Sequence, residues 1–137
     1  MPADFIINAD HKVVFSFGWG TMTYQDIISH RERLWKDARF RPEFSQILHF
    51  AHVTTMALSH NEIVALARQL VFDSRSRRAM VATTGLHYGL SRVFLAYTQS
   101  QTVRVFRDLN EAIEWIGIST EVADAAFGEF RSAHDLA

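Results

Sequence analysis

The sequence predicts an α/β domain on a mixed, mainly parallel five-stranded sheet: a β-hairpin followed by βα units in sequential order, with helices mainly on one face. Three observations predict it. A short apolar run, a polar turn, a capping residue and an amphipathic stretch of about three turns recur about four times along the chain. The cleanest pass is Val103-Arg104-Val105-Phe106, then Asp108, then Leu109 to Ile116. Two apolar runs near the start flank a turn, which is the pattern of a hairpin. Finally, apolar side chains crowd one predicted strand face, and right-handed crossovers between strands taken in order place their helices on one side.

Each element has a local reason. Phe5-Ile6-Ile7 and the run from Lys12 to Phe17 read as the hairpin strands, with Asn8-Ala9-Asp10-His11 as the turn. Gly18-Trp19-Gly20 is expected to break the second strand. Thr23 and Asp26 form a capping box with Asp in the Glu place, opening a helix from Tyr24 to about Asp37 whose stripe is Tyr24, Ile27, Ile28, Leu34 and Trp35. Pro42 closes the next loop, and Ser45 to Val53 reads as the third strand. Ser59 and Glu62 make a second capping box, followed by Ile63, Leu66, Ala67 and Leu70 at helical spacing. Asp73 to Arg78 is a basic loop and Ala79 to Ala82 a strand. Gly85 to Gln99 is a helix with Leu86, Leu90, Val93, Phe94 and Tyr97 on one side. Thr102 to Phe106 is the last strand, and Asp108 with Glu111 caps a helix that Gly117 ends. Ser119 or Thr120 caps one more helix, with Val122, Ala125, Ala126, Glu129 and Phe130 on one side.

Alternation along the strands assigns Phe15, Phe17, Leu48, Phe50, Val103 and Val105 to one face and Ser16, His49 and Arg104 to the other. That second, half-polar face is left to water, to the C-terminal helix or to self-association. A two-fold homodimer through it, or through exposed parts of Trp35 and Phe40, is an expectation of this pattern.

At 137 residues the chain fits one domain, large enough to bury a single core without staples. Hydrophobic residues make up 48% and charged residues 21%, as in an ordinary globular protein. Lys and Arg number 14 against 15 Asp and Glu, a formal charge of -1, which argues against nucleic acid as the main partner. The absence of cysteine excludes disulfides, thiolate zinc sites and a cysteine nucleophile. Met1-Pro2-Ala3-Asp4 lacks the regions of a signal peptide, and no apolar run approaches the ~20 residues that span a bilayer, so a cytoplasmic protein without membrane insertion is expected.

Three stretches carry a family resemblance: Gly20-Thr21-Met22-Thr23-Tyr24-Gln25-Asp26 after the hairpin, Arg78-Ala79-Met80-Val81-Ala82 as a buried strand, and the ending from Val103 to Ile116. Over about residues 3 to 118 the chain resembles the STAS, or anti-sigma-factor-antagonist (SpoIIAA-like), fold, and within it small stand-alone bacterial proteins. The resemblance implies a STAS-like domain over 1-118, with 119-137 as a C-terminal helical extension of the same domain. It also implies a regulatory role with a protein partner. Regulatory STAS domains carry a phosphorylated Asp-Ser pair where the third strand meets its helix. The matching region here, Thr54-Thr55-Met56-Ala57-Leu58-Ser59-His60-Asn61, lacks that pair. Ser59 is the nearest hydroxyl and a weak phosphorylation candidate, since an N-cap role explains it. The same fold resembles Sec14-type lipid-binding domains, which keeps an apolar ligand in play.

Chemical motifs are sparse. Seven histidines invite a metal or a general base, but His49 and His52 fall on opposite strand faces and no pair has helical i,i+4 spacing. Asp26 and His30 share a helix face, where a surface hydrogen bond explains them. There is no HExxH, no G-x-S-x-G elbow, no P-loop and no dinucleotide fingerprint, so no metal and no cofactor are predicted. Ser91 reads as an ordinary helix residue. Topology supplies the candidate site, because ligands of open α/β sheets sit beyond the carboxyl ends of the strands. The loops there bring Trp19, His52, Thr54, Thr83, Thr84, His87, Tyr88 and Arg107 toward one edge. Free N–H groups after Thr83-Thr84-Gly85 suit an anion, and Trp19 and Tyr88 offer stacking surface. The plain alternative is that these are turn residues. Arg75, Arg77 and Arg78, with Ser74 and Ser76, read as a solvated loop at the opposite edge, or as a site for an acidic partner or phosphate.

Foremost among functions stands a non-enzymatic regulatory or protein-interaction module with a well-packed core. The alternative is a carrier or sensor of a small apolar or anionic ligand bound at the strand carboxyl ends, which requires a pocket with few converging polar groups. An enzyme using His52 or His87 as general base ranks third.

Overall fold

Four residues, Ala9 to Lys12, reverse the chain between β1 (Ala3–Asn8) and β2 (Val13–Thr23). The Asn8 side chain accepts from the His11 amide at 3.1 Å, and Lys12 closes the turn with a left-handed φ of 56°. This is the computed structural model of the chain, and it describes residues 3–69, 71–98 and 102–134. Leu70, expected on the buried face of the second helix, and Gln99, expected to close the third, lie outside the described residues, as do residues 1–2 and 135–137.

After the hairpin come α1 (Tyr24–Lys36), β3 (Ser45–Ala57), α2 (His60–Arg68), β4 (Arg78–Val81), α3 (Gly85–Tyr97), β5 (Val103–Phe106), α4 (Leu109–Ile116) and α5 (Thr120–Ala133). The sheet order is β1-β2-β3-β4-β5, with the first pair antiparallel and the others parallel. The capping residues set the helix starts. Thr23 and Ser59 each complete a capping box, with Asp26 and Glu62, and Thr84, Asp108 and Ser119 each accept one backbone amide. Gly117, at φ 88°, ends α4 in the left-handed conformation that favours glycine.

Gly18-Trp19-Gly20 does not break β2. The strand continues to Thr23 beside β3, which itself runs on to Ala57 rather than stopping at Val53. Two register shifts, between Phe17 and Trp19 and between Gly20 and Thr21, absorb the glycines. A Cβ on Gly18 would meet the Val53 Cγ2 at 2.9 Å, so close contact between the strands requires glycine there.

The face assignment also needs correction. Phe15 lies beside Ile47 and Ser16 beside Leu48, so Leu48, Phe50, Val103 and Val105 share a face with Ser16 and not with Phe15. Both faces are covered. The crossover helices α1, α2 and α3 pack on the face of Ser16, Leu48 and Met80, where Ile63, Leu66, Phe94 and Val103 join the core. The helices α4 and α5 follow the last strand, are not crossovers, and cover the face of Phe15, Phe17, Ile47 and Val81. Right-handed crossovers advancing steadily explain the first layer, and the second layer is free of that rule. The expected half-polar face is not one surface. Ser16 lies under α1 to α3, while His49 and Arg104 share the face of Phe15 and Phe17. That face is covered by α4 and the C-terminal helix α5, as one of the three readings offered, in place of a self-association surface. There Phe127 meets Phe15 and Phe17 edge-on at 5.6 and 5.2 Å, and Phe130 stacks on Phe17 at 3.8 Å. Phe40, offered for dimerisation, is buried beside Phe44 and Phe72, whereas Trp35 is 57% exposed.

Phe127→Ala is expected to destabilise the protein by about 3–5 kcal/mol in a urea titration, whereas Trp35→Ala changes it by less than about 1 kcal/mol. Equal effects would contradict the placement of α5.

Candidate functional site

Strand alternation carries polar side chains into the middle of the layer between the sheet and α1 to α3. Ser16 of β2, Gln46 of β3 and Arg78 of β4 point the same way as Leu48, Phe50, Met80 and Val103. The Gln46 amide Nε2 donates to the Ser16 Oγ at 2.9 Å, and Arg78 lies beside Gln46 in the register. Above this floor the helices contribute Ile27, His30, Arg31 and Leu34 from α1, Ile63 and Leu66 from α2, and His87, Leu90, Ser91 and Phe94 from α3. The packing does not close. A cavity of about 110 Å³ remains, lined mostly by apolar side chains. One water needs only ~10–15 Å³ on this measure, so the space takes a small or slender molecule, though it is below the ~300–1,000 Å³ of drug-sized pockets.

Three residues of this lining each carry a buried polar atom without a hydrogen-bond partner: the His30 Nε2, the His87 Nδ1 and the Arg78 Nε. These residues are 6%, 4% and 5% exposed. Leaving such groups unpaired costs free energy, about 1–3 kcal/mol for a neutral group and more for a charge. Burial, then the charges of Arg33 and Arg31, push the His30 imidazole down to about 4, so it is neutral at pH 7. Burial lowers Arg31 to about 10, and burial together with the charge of Arg31 lowers Arg78 to about 10. Both guanidiniums remain cationic at neutral pH. No Asp or Glu side chain belongs to the described lining.

The two arginines are held differently. Arg31 donates through NH1 to the carbonyls of Leu66 and Gln69 at 3.0 and 2.7 Å, so it caps the electronegative end of α2. Arg78 has the ring of Phe72 at 5.4 Å from its guanidinium carbon, and no ion pair among the described residues. Arg31 and Val71 also border a shallow outer groove of about 390 Å³ with Ile28, Glu32, Trp35, Lys36 and Gln69. That groove adjoins the cavity but carries none of its unpaired groups.

The residues singled out at the strand ends separate into groups. Thr84 caps α3 through the His87 amide, and the Arg107 guanidinium lies 4.5 Å from the Tyr88 ring, so Thr84, His87, Tyr88 and Arg107 are neighbours. Of the residues singled out at the strand ends, His87 alone is among the described lining of the cavity. Trp19 pairs with His52 across the strands but packs against Phe130 and His134 under α5. Thr54 and Thr83 are exposed. Ser59 is engaged in its capping box, accepting from the Glu62 amide at 3.1 Å. Among the basic residues, Arg75 pairs with Asp73 and Glu43, and Arg77 donates to the Trp115 carbonyl. Arg78 does not belong to a solvated loop: it opens β4 and is buried. Ser16, Arg31 and Gln46 went unrecognised as site residues. His30, read as a surface partner of Asp26, is buried, while Asp26 bonds Thr23. Arg78, read with Arg75 and Arg77 as a loop or a site for an acidic partner or phosphate, faces the cavity layer instead. The signal for Arg78 was its alternation in phase with Met80.

Among the described residues no group of three His, Cys, Asp or Glu could hold a metal ion, and no helix is long and apolar enough to cross a membrane. No family model matches this chain, and no curated protein does.

Two outcomes follow from the burial of these groups. Arg78→Met removes an unpaired buried charge, so the ligand-free protein is expected to gain about 1–3 kcal/mol in urea unfolding; a loss of that size would mean that Arg78 is a structural contact. The second concerns pH. His30 has a lowered folded pKa, so the unfolded chain binds its proton first, and the stability it contributes is present above pH 6.5 and lost as pH falls toward 4. The wild type should lose up to about 3 kcal/mol more than His30→Met between pH 7 and pH 4. Parallel pH profiles would contradict a buried neutral His30.

Proposed function

We propose that the protein is a non-enzymatic carrier or sensor that encloses one small, largely apolar ligand between its sheet and α1 to α3. The observation that carries this reading is the cavity, mostly apolar, among whose lining residues three carry an unpartnered buried polar atom. A pure protein-interaction module has no use for such an interior, since filling it with apolar side chains would stabilise the fold. The enzyme reading lacks support here: no carboxylate of the described lining stands by to orient His87 as a base. Three methionines, Met22, Met56 and Met80, line the space, and their flexible thioethers let a cavity fit occupants of differing shape.

The resemblance to STAS domains, as small bacterial proteins of the cytoplasm, belongs to the same proposal. A sensor of this fold would signal through the spacing of the crossover helices above the sheet, with a protein partner reading that face. The ligand then lies inside the helical layer rather than at the strand carboxyl ends, with His87 as the link between the two places.

Native mass spectrometry of protein purified from a rich bacterial host tests the reading, followed by titration of the ligand-stripped protein with uncharged 1-octanol. A copurifying small molecule is expected, together with NMR shifts of the Met22, Met56 and Met80 methyl groups on adding octanol. A bare chain mass with unmoved methyl groups would overturn it.

A further inference from the structure

We infer that the floor of the cavity is an anion subsite, built around Arg78, for a ligand with a carboxylate head and an apolar body. The inference rests on the carrier or sensor reading and specifies its ligand.

Arg78 is 5% exposed, its Nε–H has no partner, and no acidic side chain of the described lining faces it. A guanidinium presents its N–H groups in a planar fork that matches the two oxygens of a carboxylate. Gln46 lies beside it in the register and, with its bonded Ser16, supplies further polar atoms at the same end of the cavity. Arg31, on the wall above, adds a second positive charge while its NH1 remains committed to α2. Anions are therefore favoured at this end and cations are repelled. From there the floor continues along β3 through Leu48 to Phe50, four residues or about 13 Å from Gln46, in apolar company. One polar end and a narrow apolar run suit a monoanion on a short hydrocarbon body. A phosphate dianion would need more donors than this floor offers.

The test compares probes that share an apolar body, by calorimetric titration of the full chain with octanoate, 1-octanol and octylammonium. Octanoate is expected to bind at least about tenfold more tightly than octanol, with octylammonium weakest. Arg78→Met should bring octanoate and octanol to within about threefold of each other while leaving octanol affinity unchanged. Arg78→Lys, which keeps the charge without the fork, should restore part of the preference. Equal affinity for octanoate and octanol in the wild type, or a preference that survives in Arg78→Met, would overturn the anion subsite and leave the carrier reading standing. Failure of all three probes to bind would overturn both.

Discussion

The register of the parallel strands decides what each helical layer meets. Because Phe15 lies beside Ile47, and Ile47 beside Ala79, one parity of side chains faces α4 and α5 and the other faces α1 to α3. A slip of one residue would exchange the two sets and bury Phe15 where Ser16 now stands. The phenylalanine cluster under α5 holds this register in place. With it fixed, Ser16, Gln46 and Arg78 are carried into the opposite layer, where no acidic side chain of the described lining meets them.

The two layers then differ in kind. Beneath α5 the aromatic rings interlock, edge-on and stacked. Beneath the crossover helices the packing leaves room, and three polar atoms of the lining residues, on His30, His87 and Arg78, go unsatisfied. Unpaired buried polar groups lower stability, and proteins keep them chiefly where function requires it. Arg31 shows the other fate of a buried cation, since the α2 carbonyls take up its NH1. Arg78 has an aromatic ring as its neighbour, which accepts a charge without satisfying its Nε–H.

Much of the fold was legible in the sequence, because its signals are local. The capping residues Thr23, Ser59, Asp108 and Ser119 announced four helix starts, and Gly117 announced a helix end. The sequential strand order followed from the repeated strand–helix unit. The phase between strands was not legible, since alternation inside β2 and inside β3 says nothing about which residue of one lies beside which of the other. That single ambiguity put Leu48 with Phe15, made one face look half-polar, and hid the cavity. Glycine also misled: Gly18 and Gly20 serve close strand contact and register shifts, and not the end of β2. Arg78 was masked by its company, because Arg75 and Arg77 are solvent-facing and ion-paired or stacked while their neighbour turns inward.

At the centre of this account stands the Arg78 guanidinium, charged, with no ion pair among the described residues and with an unpartnered Nε–H, which an anion in the cavity would engage. The arginine Nε–H resonance of Arg78 in a ¹H–¹⁵N spectrum reads that directly, recorded without ligand and with carboxyl-¹³C octanoate. The account predicts a downfield shift, slower exchange with water and a contact between this proton and the labelled head group. An Arg78 resonance that stays in place while the cavity methyl groups move would contradict it.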